Sequence, residues 1–160
     1  MSQDAQERPS RADARTAIEN LYFFYAERID AGDFAGVGAL FEHARILGPD
    51  GSVNATGADE VTAMYEASTR LYEDGTPKTQ HVTTNLIFEF DEDGRGASTR
   101  ARFTVMQATP DLPLQAIITG HYEDRFAYDE TIGWHFIERK MRPVLLGDLS
   151  QHLLYELEGS

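Results

Sequence analysis

The sequence predicts an α+β domain in which a cone-shaped, strongly curved and mostly antiparallel sheet is closed by N-terminal helices. Apolar residues recur at helical spacing in the first part of the chain and at a spacing of two in most of the rest. Turn formers between the later runs read as hairpins, which makes the strands an antiparallel meander. The run over 114 to 128 is far longer than the roughly 5 or 6 residues usual for a strand. Two or three helices can cover such a sheet only if it curls, and a curled sheet closed by helices encloses an apolar interior.

The elements follow in order. Residues 1 to 9 lack a periodic apolar pattern and end at Pro9, so they are expected to be a mobile tail before a single domain over 10 to 157. Ser10 and Asp13 make a capping-box match ahead of Ala14, Ile18, Leu21, Tyr25 and Ile29, an amphipathic helix. Gly32 ends it, and Asp33 caps a short second helix carrying Phe34, Val37, Leu40 and Phe41. Residues 43 to 47 and 53 to 56 flank Pro49-Asp50-Gly51-Ser52 as a small hairpin. Thr56 and Asp59 match a second capping box, followed by the stripe Val61, Met64, Tyr65, Ser68, Leu71 and Tyr72, which Gly75 and Pro77 end. Leu86, Phe88 and Phe90 then alternate along a strand over 83 to 90, closed by the turn Asp91-Glu92-Asp93-Gly94. Strands are expected over 97 to 108, 114 to 128 and 133 to 142, and Leu149, Leu153, Leu154 and Leu157 predict a final short helix.

Composition narrows the function. With 160 residues, 41% of them hydrophobic, the chain is the size of one domain with one core. Fourteen Lys plus Arg against twenty-seven Asp plus Glu give a net charge of −13, so neither nucleic acid nor an anionic membrane surface is an expected partner. There is no cysteine, so chemistry must come from oxygen and imidazole. The charged Met1 to Arg8 lacks the apolar stretch of a secretory signal, and a cytoplasmic location is expected.

Asp30 falls at a helix C-terminus, where the dipole disfavours a carboxylate, so either it caps the following turn or it has a partner elsewhere. His81 stands just before the strand that starts at Thr83, either as an edge histidine or as a base whose second nitrogen a carboxylate such as Asp30 would orient. Tyr25 is a candidate phenol, although it is rotated by about 140° from Asp30 on an ideal helix. Tyr22 and Tyr65 compete for the same role. Tyr22, Met64 and His121 are the expected substrate contacts; His121 lies on a mixed strand face that can line a wet pocket or the outside. His43, His135 and His152 have no companion at metal-ligand spacing, so neither a metal nor another cofactor is expected.

The order of elements, with Ile18-Glu19-Asn20-Leu21, Asp30-Ala31-Gly32-Asp33 and His81 through Asn85, resembles the SnoaL-like branch of the nuclear transport factor 2 superfamily over about residues 11 to 157. The carrying patterns are Tyr-x4-Asp in the first helix and His-x3-Asn entering the third strand. The branch includes bile acid 7α-dehydratase, scytalone dehydratase and hexachlorocyclohexane dehydrochlorinase, small cones that eliminate across a carbon skeleton without cofactor. The resemblance implies an Asp-His pair formed by Asp30 and His81, and it favours Tyr25 over Tyr22. One departure is Arg100-Ala101-Arg102-Phe103-Thr104, which has no acid where the bile acid enzyme has an aspartate.

The expectation is therefore a cofactor-independent lyase, a dehydratase, acting on a small hydrophobic alicyclic, steroid-like or aromatic substrate. An isomerase, cyclase or carbon-carbon lyase would use the same residues, and a non-catalytic binding or assembly domain is the alternative of another class. A homo-oligomer through the outer sheet face is also expected.

Overall fold

The computed structural model describes residues 9–157; apart from Pro9, the tail expected at 1 to 9 lies outside them. Helix α1 (Arg11–Asp30) begins where the Ser10 side chain accepts from the Asp13 N–H. It buries Ala14, Ile18, Tyr22, Tyr25 and Ile29. Tyr22 thus takes the core position expected for Leu21, which is only partly buried. Gly32 ends the helix at φ 73°, and a Cβ there would lie 2.0 Å from the Gly75 carbonyl oxygen, so no other residue fits. Helix α2 (Phe34–Leu40) is capped by Asp33, whose Oδ1 accepts from Gly36 N at 2.8 Å.

Helix α3 (Gly57–Ser68) corrects the expectation at both ends. Thr56 makes no side-chain cap, and Glu60 rather than Asp59 reaches back, accepting from Thr56 N at 2.8 Å. The helix stops at Ser68 instead of continuing to Tyr72. Thr69 bridges to Leu153, and the Tyr72 hydroxyl donates to the Gln151 carbonyl at 2.6 Å, so tertiary contacts take over the apolar stripe.

Among the described residues six strands follow the order β2-β1-β6-β5-β4-β3, with β1 (Arg45–Leu47), β2 (Val53–Thr56), β3 (Thr79–Phe90), β4 (Gly96–Thr109), β5 (Leu112–Asp129) and β6 (Gly133–Leu146). Among these strands the β1–β6 pair is parallel and the other pairs are antiparallel. Because β3 begins at Thr79, His81 stands inside the strand rather than before it. Register shifts between Thr84 and Ile87, Val105 and Met106, Thr119 and Gly120, and Arg125 and Phe126 bend the long strands into the cone. Asn85 occupies the first of these at φ 58°, a left-handed position that asparagine tolerates better than most residues. At Gly120 a Cβ would fall 2.4 Å from the Phe103 ring, which lies across the strand in the space the missing side chain leaves.

The final helix expected over 149 to 157 does not form. Leu153 N–H donates to Leu149 O at 3.0 Å, but the next donor, Leu154 N–H, goes to Ser68 O at 3.0 Å, so the chain turns across the mouth of the cone. The core holds Ile18, Tyr22, Phe41, Tyr122, Phe126 and Phe136. Among the described residues, no helix is long and apolar enough to cross a membrane.

Candidate active site

Between α1, α3, the inner sheet face and the C-terminal turns lies a cavity of about 430 Å³, the size of a small-molecule site. Ile29, Met64, Phe103, Val105, Ile118 and Leu149 give it apolar walls, and Tyr25, Tyr65, Tyr122, His81 and His152 bring polar atoms to it. Met64, expected as a substrate contact, thus lines this cavity.

Asp30 and His81 are brought together. Asp30 Oδ1 lies 2.6 Å from His81 Nδ1, Asp30 Oδ2 accepts from the His81 backbone N–H at 2.8 Å, and Thr79 Oγ1 donates to Oδ1 at 2.9 Å. Three donors from β3 thus offset the unfavourable end of the α1 dipole. An ionised carboxylate only accepts, so Nδ1 carries the hydrogen in this pair, and Nε2 is the nitrogen that holds the lone pair whenever the ring is neutral. His81 lines the cavity with an 8% exposed side chain, while Asp30 stands behind it. The 140° between Tyr25 and Asp30 on the helix is therefore no obstacle, because the imidazole from β3 spans it.

The Tyr25 ring meets the His81 ring edge-on, centroids 6.2 Å apart, and its hydroxyl is 2.8 Å from that of Tyr65. Burial, with the nearby Tyr25 phenol, pushes Tyr65 and Tyr122 well above the ordinary tyrosine range, so both remain protonated donors. Behind these rings, fully buried Arg139 pairs with fully buried Asp124 at 2.8 Å, its guanidinium 4.6 Å from the Tyr25 ring and 3.9 Å from that of Tyr122. Burial opposes its charge but is outweighed by the field and hydrogen bonds of Asp124, which hold Arg139 protonated.

The SnoaL-like domain family matches residues 10–140. The chain belongs to that family. No curated protein matches significantly. Among solved structures, a protein provisionally assigned as a scytalone dehydratase from Novosphingobium aromaticivorans is 22% identical, with TM-score 0.68 over 91% of this chain and 89% of that one. LinA is 16% identical, with TM-score 0.65 over 88% and 92%, and ActVI-ORFA from Streptomyces coelicolor is 15% identical, with TM-score 0.65 over 81% and 96%. At these identities the likeness shows a shared fold.

Two residues expected at the site of this SnoaL-like domain lie elsewhere. Tyr22 points into the core, its hydroxyl 2.7 Å from Thr99 Oγ1 beside the Arg139–Asp124 pair, and does not line the cavity. His121 faces a separate hollow with Arg102, whose Nη1 donates to His121 Nε2 at 2.6 Å. The shift at Gly120 puts Gly120, Tyr122 and Asp124 inward and leaves His121 and Glu123 on the other face.

Sequence reasoning passed over Thr79, Asp124, Arg139 and His152. Strict alternation from Trp134 and Phe136 would put Glu138 inside and Arg139 outside, and the register shift opposite Arg125 and Phe126 inverts that order. An arginine in β6 opposite an aspartate that stands between Tyr122 and Phe126 was the signal available.

Proposed function

We propose that this SnoaL-like protein is a cofactor-independent acid-base lyase, a dehydratase, acting on a hydrophobic alicyclic, steroid-like or aromatic molecule. The observation that carries the reading is the Asp30–His81 pair, whose free imidazole nitrogen belongs to a ring in the wall of an apolar cavity beside a phenol. His81 Nε2 takes a proton from carbon, and Asp30 holds the ring and stabilises the imidazolium that forms. The C–H electron pair becomes the new C=C bond as the C–O bond breaks, and the proton leaves with the departing oxygen as water. Tyr25, backed by Tyr65, donates a hydrogen bond to the leaving hydroxyl or to an adjacent carbonyl. The structural neighbours, one of them provisionally assigned as a scytalone dehydratase, support this class.

The hydrogen-bonded phenol pair also suits an enolate, so an isomerase working through the same residues is the second reading. Hydroxylated ring compounds screened by mass spectrometry separate the two, since dehydration loses water and isomerisation leaves mass unchanged. His81→Ala and Asp30→Asn should each lower kcat at least about 100-fold. Normal turnover in the Asp30→Asn protein would sink the assignment. Exposed Val82, Ile87, Val144 and Leu145 support association of copies through the sheet, which light scattering would test.

A further inference from the structure

The C-terminal turns place a second imidazole in the cavity wall. His152 is 8% exposed and lines the same cavity as His81 and Tyr25, and its buried Nδ1 has no hydrogen-bond partner among the described residues. Buried polar side-chain atoms almost always have partners, so this one asks for an explanation. Packing of the segment does not supply it. His152 is fixed through its backbone: its N–H donates to Leu149 O at 3.0 Å and its carbonyl accepts from Arg70 N at 2.8 Å. The preceding carbonyl, Gln151 O, accepts from the Tyr72 hydroxyl at 2.6 Å and from Gln107 Nε2 at 3.1 Å. Any side chain would allow those bonds, and the imidazole takes part in none of them.

We propose that His152 is a substrate-binding residue whose imidazole hydrogen-bonds a neutral oxygen, a carbonyl or hydroxyl, on a carbocyclic substrate. This rests on reading the cavity as the site for a hydrophobic ring compound. The titratable groups facing His152 are His81 from β3 and Asp30 at the end of α1. Burial, and then the positive charge His81 can carry, push its protonation down to about 4, so the ring is neutral at physiological pH, with one donor and one acceptor nitrogen. A neutral imidazole pairs with carbonyl or hydroxyl oxygen and offers no charge to a carboxylate or phosphate. In a protein of net charge −13, the site thus selects uncharged, oxygenated ring compounds.

The test uses the full chain, labelled with 15N-histidine, and two probes: the saturated bicyclic ketone 2-decalone and its parent hydrocarbon decalin. Ring 15N signals of His152 are assigned from the His152→Asn spectrum. The expected results are a shift of those signals with 2-decalone and not with decalin, and at least about tenfold tighter binding of the ketone, the scale of one hydrogen bond. His152→Phe should diminish that preference about tenfold, leaving only what the phenols of the cavity supply. His152→Asn, which keeps an amide near the Nδ1 position, should restore part of it, and His81→Ala should retain it. Unmoved His152 signals in the wild-type protein, no preference for the ketone, failure of both probes to bind, or an undiminished preference in a folded His152→Phe protein would each overturn the proposal. The ketone has no hydroxyl to lose, so the result is independent of elimination. Ketone binding through His152 without dehydratase activity on any substrate would sink the lyase reading alone.

Discussion

Replacing Asp124 by Asn removes the one charge that, among the described residues, compensates Arg139, whose side chain has no exposed surface. The carboxylate accepts from Nε at 3.0 and 3.3 Å and from Nη2 at 2.8 Å, while Nη1 has no partner among the described residues, so within them Asp124 carries the hydrogen bonding of the guanidinium. Five rings, those of Tyr22, Tyr25, Phe41, Tyr122 and Phe136, surround the cation at 3.9 to 5.6 Å, and their faces cannot replace an anion. Breaking a buried pair by removing one partner costs about 3 to 5 kcal/mol. In a chain of 160 residues that corresponds to a fall in Tm of roughly 6 to 20 °C. The double variant Asp124→Leu with Arg139→Met strands no charge and should lie within about 2 kcal/mol of wild type, less costly than the single change. Urea unfolding of the three proteins at neutral pH measures this. An Asp124→Asn protein that melts within about 2 °C of wild type would refute the reasoning.

Other outcomes follow from the same geometry. His152 is held down to about 4 when folded against an ordinary 6.5, so the unfolded chain binds more protons between those values. The neutral ring's stabilisation is complete above pH 6.5 and is lost as pH falls through 4, so urea unfolding of wild type should lose about 3 kcal/mol more between pH 7 and pH 4 than His152→Asn. Equal losses would contradict it. Gly32→Ala should cost at least about 1 kcal/mol, because the left-handed backbone and the contact with Gly75 exclude a methyl. It should also lower kcat by displacing Asp30, and unchanged kinetics would show that the helix end does not set the pair. Truncation after Gly147 leaves the paired strands whole and removes Leu149, His152 and Leu153 from the cavity wall. A folded product by circular dichroism with at least about tenfold poorer turnover is expected, and normal turnover would show that the turns do not complete the site.

What could be read from the sequence was local. The start of α1 at Ser10, the Asp33 cap and the alternation through Leu86, Phe88 and Phe90 depend on neighbours a few residues away. Misplaced elements answer to distant partners: α3 stops where Thr69 meets Leu153, and the final turns are drawn out by Ser68 and Arg70. For Asp30 and His81 the residues alone left a turn cap and an edge histidine open, and the resemblance to the SnoaL-like family is what implied the pair. Arg139 and His121 were not legible, because one extra residue at a bulge exchanges the two faces of a strand, and the shifts at Gly120 and Phe126 follow from the curvature of the whole sheet.

The cavity wall sorts its ionisable groups into separate duties. Burial keeps Tyr65 and Tyr122 protonated, so they can donate to an oxygen but cannot take a proton from carbon. His152 is neutral but has no carboxylate on its free nitrogen, and any positive charge it gained would face His81. Arg139 lies behind the rings with its charge matched by Asp124, so its positive field reaches the phenols without a mobile proton. Among these groups His81 alone combines a lone pair on a cavity-lining ring with a carboxylate ready to stabilise its protonated form. A substrate oxygen placed among the phenols and His152 would meet donors, and the adjacent carbon would meet the one base, which is the polarity an elimination or an enolisation requires.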